Sequence, residues 1–318
     1  MTHPAHRDHG GGLDAAVARF GGPAADWIDL STGINPWAYP ISDIPDTAWQ
    51  RLPDRAAMQR LLAAARGLWS IPEGAGIVAA SGVSALIVHL PALCSDRTVS
   101  IAKPTYNEHE AAFRAAGYAL SEDGAAQVFV HPNNPDGCMV SANRVMAMHR
   151  DLTVIDESFC DCTPEASLIG LASEPGVVVL KGLGKFWGLA GLRLGFAIAR
   201  PDSIAALAER LGPWAVSGPA LHIGTAALSD TAWIADTRRR LHRAALRLDG
   251  IADRAGLELV GGSDLFRLYS CFNSDTVYRK LAAQKILTRT FPYSENWIRL
   301  GLPGGDQQWH RLSVALGV

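Results

Sequence analysis

The apolar residues of the chain follow two patterns. Short, mostly apolar runs at 77–80, 99–102, 127–130, 152–155, 177–180 and 196–199 are bounded by Gly, Pro, Asn or charged residues. Runs of that length and makeup predict buried strands. Between them the spacing turns helical. Leu61, Leu62 and Ala65 share one face over 58–68, and a second helix follows the turn Ser81-Gly82. Strands and helices alternating from 77 to 196 predict an α/β fold, with a mostly parallel central sheet covered by helices on both faces.

The two ends read differently. Leu13, Val17 and Phe20 fall on one face of a short helix that Gly21-Gly22-Pro23 stops, and a short strand at 27–30 enters a turn at 31–36. Residues 220–248 carry one long helical pattern, with Arg238, Arg239 and Arg240 on a solvated face. Beyond it come short strands at 257–260 and 265–269, a helix at 274–283, and apolar segments at 286–290 and 296–301. The expected organisation is an N-terminal arm (1–40), a large domain (41–235) and a smaller α+β domain (236–318). The arm is expected to join the small domain and the active site.

Composition narrows the classes of function. The 318 residues are 48% hydrophobic and 19% charged with a net charge of −2, so no nucleic-acid footprint is visible. No stretch approaches the ~18 apolar residues of a membrane span, and the His- and Gly-rich start lacks the apolar core of a signal peptide. A cytoplasmic protein is expected. Five cysteines is an odd count, and Cys160-Asp161-Cys162 is too close for an ordinary disulfide, so reduced thiols are expected. No second Cys or His pair stands at zinc-ligand spacing, and no metal is expected.

The chemistry centres on Lys185. A strand runs into Gly182-Leu183-Gly184-Lys185, and Arg193 follows eight residues later between glycines. As plain structure this is a basic surface turn. A desolvated lysine can instead attack carbonyls, and an arginine nearby offers a fork for phosphate. Together they suit pyridoxal phosphate held covalently, with its phosphate clamped.

The stretch 177–196 resembles the lysine signature of fold-type I pyridoxal-phosphate enzymes, in the class I and II aminotransferase superfamily. Its branch is the one with histidinol-phosphate aminotransferases and threonine-phosphate decarboxylases. The resemblance implies Lys185 as the Schiff-base lysine and Arg193 on the cofactor phosphate, with Gly82, Val83 and Ser84 as the phosphate loop before a helix. Pro104-Thr105-Tyr106 places Tyr106 against the pyridine ring, the string 131–137 gives Asn134 to the ring hydroxyl, and Asp156 pairs with the ring nitrogen. Of the two adjacent acids, Glu157 is expected to be solvated or to cap a helix. The chain departs from the family where hydroxyl residues are common: Gly182, Gly184 and Leu52 predict a lean phosphate cup, and Phe159 stands where many aminotransferases have Tyr.

Taken locally, His9 reads as a solvated histidine, Asn35 as a turn former, and Arg289 and Arg299 as members of buried salt bridges. The run from His9 through Leu30-Ser31-Thr32-Gly33-Ile34-Asn35-Pro36 resembles the opening of threonine-phosphate decarboxylases of cobalamin synthesis. That likeness gives His9, Asn35 and Arg289 to the substrate phosphate and Arg299 to its α-carboxylate. It implies decarboxylation of L-threonine O-3-phosphate, a small phosphorylated substrate, by a homodimer. Two alternatives stay open: an aminotransferase acting on histidinol phosphate or a related amine, and a pyridoxal-phosphate fold that binds without catalysis.

Overall fold

The computed structural model describes residues 9–41 and 43–318. The chain divides into two compact units, one of residues 38–237 and one of the residues up to 37 together with those from 238 onward. In chain order the strands are β1 (Ile28–Asp29), β2 (Gly76–Ala80), β3 (Thr98–Ile101), β4 (Ala119–Leu120), β5 (Ala126–Val130), β6 (Leu152–Asp156), β7 (Val177–Gly182), β8 (Gly195–Ala199), β9 (Glu258–Ser263), β10 (Phe266–Ser270), β11 (Ile286–Leu287), β12 (Arg289–Phe291) and β13 (Ser294–Gly301). The helices are α1 (Leu13–Phe20), α2 (Asp46–Gln50), α3 (Arg55–Leu68), α4 (Val83–Ile87), α5 (Asn107–Ala115), α6 (Ala142–Ala147), α7 (Pro201–Leu211), α8 (Gly218–Ser229), α9 (Thr231–Arg254), α10 (Ser274–Ala283) and α11 (Asp306–Leu316).

The unit of 38–237 is built on a seven-stranded sheet in the order β2-β8-β7-β6-β5-β3-β4. Only β8 runs against its neighbours. β6, β7 and β8 are buried at every position, which explains their unbroken apolar pattern. Leu86, Leu90 and Phe113 pack with Val128, Val154 and Val178 in one core cluster. Each such side chain contributes roughly 1.5–3 kcal/mol by leaving water. In register, Val130 faces Asp156 and Asp156 faces Leu180, so β5, β6 and β7 end at one edge of the sheet. Ligands in open α/β sheets bind at such carboxyl ends.

The other unit has a four-stranded antiparallel sheet, β12-β13-β10-β9, and a parallel pair, β1-β11. Leu13, Val17 and Phe20 of α1 pack on a cluster of Ala16, Trp27, Ala282 and Leu287. Tyr269 and Arg267 both bind Asp249, the arginine in a two-pronged contact at 3.0 and 2.8 Å.

The single helix expected over 220–248 is two helices. Asp230 interrupts it, because its carboxylate accepts the Trp233 N–H at 2.9 Å and caps the start of α9. Arg239 and Arg240 are exposed, as expected of a solvated face, and the Arg240 guanidinium lies 3.9 Å from the centre of the Trp37 ring. Among the described residues no helix is long and apolar enough to cross a membrane.

Candidate active site

A cavity of about 190 Å³ opens at the carboxyl edge of the seven-stranded sheet, within the unit of 38–237. All eight residues expected to hold the cofactor line it: Gly82, Val83, Ser84, Tyr106, Asn134, Asp156, Lys185 and Arg193. Their elements explain the convergence. The turn after β2 brings Gly82, β6 ends on Asp156, and the turn after β7 carries Lys185.

Asp156 is 2% exposed at the end of β6. One carboxylate oxygen accepts the Ser158 backbone N–H at 3.0 Å and its hydroxyl at 2.5 Å. The other lies 2.9 Å from His109 Nε2. A charged carboxylate can only accept, so Nε2 is the donor. Burial alone would raise the Asp156 pKa, but the His109 contact and the Ser158 hydrogen bonds outweigh it and hold it below the usual carboxylate value. His109 stands in no motif of the sequence. It stands three residues after Tyr106 on α5, and a polar residue fully buried on a helical face is the signal that could have marked it.

Tyr106 packs edge-on against His109, with ring centres 6.0 Å apart. Burial first, and then the charges of Asp156 and Glu108, push its phenol up to about 12, so it stays protonated at working pH. Lys185 Nζ lies 5.5 Å from the centre of the Phe159 ring, a face without a hydroxyl.

Arg193 adopts a left-handed backbone conformation (φ 53°). Its guanidinium covers Gly82, whose φ of 88° favours glycine; an added Cβ would also come within 2.7 Å of an arginine nitrogen, which would have to shift. The two glycines that replace hydroxyl residues differ. A Cβ at Gly182 would lie 2.8 Å from a Val83 methyl, whereas at Gly184 the nearest atom is 3.5 Å away. Leu52 is exposed.

Glu157 corrects an expectation. It is neither solvated nor a cap, but fully buried beside β7. Its carboxylate pairs with Lys181 Nζ at 2.7 Å and accepts the Ser167 hydroxyl at 2.7 Å and the Leu168 N–H at 2.5 Å. Asp161 stands 3.5 Å from the same ammonium and accepts the Trp69 indole N–H at 2.8 Å. Burial would lower the Lys181 pKa, but the charges of Asp161 and Glu157 win and raise it. Lys181 is thus a locked cation, leaving Lys185 as the lysine of the cavity. His131, Glu157 and Cys160 also lie close enough to share a metal ion. However, His131 Nδ1 accepts the Val140 N–H, its Nε2 faces the Ala166 carbonyl, and Glu157 holds Lys181. Those contacts use the ligand atoms. The five cysteines are free thiols.

The four expected substrate residues belong to the other unit. Arg289 and Arg299 are cross-strand partners on β12 and β13. Arg299 is 5% exposed and donates to the Ser31 carbonyl at 2.7 Å. Burial, and then the nearby Arg289 charge, lower its pKa to about 10, so it remains a cation at neutral pH. The Ser31 hydroxyl accepts the Gly11 N–H at 2.7 Å, which ties the segment just after His9 to the same residue. His9 itself is exposed. Asn35 is buried, and its side-chain oxygen accepts the Trp37 N–H at 2.9 Å, the geometry of a turn former.

The cavity offers an amine, a charged carboxylate, an aromatic face and a guanidinium over glycine. Those groups match the aldehyde, ring nitrogen, ring plane and phosphate of pyridoxal phosphate. A family model for aminotransferase class I and II matches residues 118–312. The chain is 39% identical to the threonine-phosphate decarboxylases of Pseudomonas aeruginosa and of a Sinorhizobium species, over 97% of this chain and 97% of each relative. The crystal structure of histidinol-phosphate aminotransferase from Sinorhizobium meliloti in complex with pyridoxal-5'-phosphate superposes with a TM-score of 0.82 at 18% identity, over 99% of this chain and 94% of that one. The chain therefore belongs to the aminotransferase class I and II family of pyridoxal-phosphate enzymes, in the group that contains the threonine-phosphate decarboxylases.

Proposed function

We propose that the enzyme decarboxylates L-threonine O-3-phosphate to (R)-1-amino-2-propanol O-2-phosphate, for the side chain of cobalamin. The observation that carries this reading is the near-full-length likeness to two threonine-phosphate decarboxylases. The two arginines paired on β12 and β13 support it.

Pyridoxal phosphate supplies an electron sink for the bond broken at the substrate Cα. The chain's own residues do the rest. Lys185 Nζ would hold the cofactor covalently and, once the substrate amine takes its place, its freed amine would return a proton to Cα. Asp156, charged and fixed by His109 and Ser158, keeps the proton on the pyridine nitrogen. Tyr106 covers the ring, and Asn134 donates to the ring hydroxyl. Arg193 and the backbone from Gly82 to Ser84 hold the cofactor phosphate. Phe159 has no hydroxyl to compete for the ring oxygen. Arg299 takes the α-carboxylate. Arg289, Asn35 and His9 serve the substrate phosphate, a near-dianion that needs several donors. We also propose a homodimer. Ile41, Trp49, Leu52 and Trp214 are exposed apolar residues of the unit of 38–237. Trp49 lies on α2, which abuts the start of α8 where Gly218 meets Ala48.

Substrate choice tests the reading. Donors left without a phosphate reject the unphosphorylated analogue, so threonine is expected to fall roughly 10³-fold or more below threonine phosphate in kcat/KM. Arg289→Ala should remove most of that gap and leave cofactor absorbance unchanged. Equal loss on both substrates would make Arg289 a carboxylate or structural residue and favour an aminotransferase.

A further inference from the structure

We propose that a second cavity, in the unit that contains α9 and α11, is an anion site that takes the phosphate of a small phosphate monoester. It measures about 290 Å³ and is lined by Arg240, Arg243 and Arg247 with Trp37, Trp309 and the turn Gly304-Gly305-Asp306. None of the residues assigned to cofactor or substrate lines it.

The three arginines recur at helical spacing on α9 and so share a face. Two are held in place by aromatic rings. Arg240 lies 3.9 Å from the centre of Trp37, whose indole N–H is pinned to the Gly304 carbonyl at 2.5 Å. Arg247 lies 4.6 Å from the centre of the buried Trp309. All three arginines are exposed, so their N–H groups are reachable by an acceptor from solvent. Arg243 stands between them without an ion-pair partner among the described residues. Three like charges on one wall repel, and an anion relieves that repulsion.

The lining also includes the start of α11, eleven residues long, whose N-cap Gly305 gives no side-chain cap. Gly305 and Asp306 line the cavity there, and the first N–H groups of a helix have no intrahelical acceptor. A Cβ at Gly305 would meet nothing within 4 Å, so that side is open. Asp306 is the one acid in the lining. It is 99% exposed and 3.5 Å from Arg247, a weak pair that leaves a net positive cavity. Guanidiniums on one lining suit the acceptor oxygens of a phosphate monoester. The volume, near the ~300 Å³ lower bound of small-molecule sites, leaves room for a small organic body besides the phosphate.

The test uses the holoenzyme and the indole N–H resonances of Trp37 and Trp309. Glycerol 2-phosphate is the probe, because it lacks an amine and cannot react. Inorganic phosphate tests the bare ion, and chloride at matched ionic strength tests screening. Saturable shifts with glycerol 2-phosphate are expected, tighter than with inorganic phosphate. Arg240→Gln/Arg243→Gln should weaken binding at least tenfold, while Arg289→Gln leaves it intact. Asp306→Asn should tighten it about threefold, the worth of an exposed ion pair; this arm needs no arginine removed. The proposal is overturned if no shift saturates, if chloride reproduces it, if the double variant binds as well, if Arg289→Gln abolishes it, or if Asp306→Asn leaves it unchanged or weaker.

Discussion

Asp156 feels two opposed effects. Its burial favours the neutral acid, while His109 and Ser158 favour the charged form and prevail. A carboxyl whose folded pKa is depressed contributes stability above its ordinary value of ~3.9. That contribution is lost as pH falls through the lower, folded value. The enzyme should therefore keep a charged Asp156 well into mild acid. His109→Phe fills the same space but removes the Nε2 donor. The acid limb of kcat/KM should then move up by about one pH unit or more, and turnover should fall while the cofactor stays bound. An unmoved acid limb would mean that His109 only packs.

The turn after β7 makes a matched pair of predictions. Gly184→Ser has room for its Cβ, so its hydroxyl enters the cavity that holds Arg193. Cofactor retention on dilution should improve about tenfold or more, the worth of one hydrogen bond to a charged group. Gly182→Ser presses on Val83 and should lower the thermal midpoint by several degrees without that gain. Dialysis against buffer and a melting curve measure both, and the reverse order would contradict the cavity's geometry. Much of this element was legible in the sequence. β6 and β7 are buried on both faces, so they read as unbroken apolar runs, and the glycines of the turn mark its close approaches. What the sequence hid are charges whose partners lie far along the chain. Glu157 reads as solvated until Lys181, 24 residues on, is seen beside it. His109 means little until Asp156, 47 residues on, comes within 2.9 Å. The break at Asp230 is hidden because the apolar spacing continues through it, and only the cap shows the stop.

Across the whole molecule, Trp49, Leu52 and Trp214 leave large apolar side chains in water. Two-fold dimers are the commonest oligomers, and light scattering of the holoenzyme is expected to give twice the chain mass of 33.9 kDa. Trp49→Glu should shift it toward monomer with loss of activity; an active, stable monomer would contradict the dimer. The fate of the carboxyl carbon tests the central claim most directly. L-Threonine O-3-phosphate labelled at that carbon is incubated with the holoenzyme, with and without a keto acid. The account predicts labelled carbon dioxide and one equivalent of aminopropanol phosphate, at a rate the keto acid does not change. Label retained in a keto-acid product, formed only when an amino acceptor is present, would contradict it.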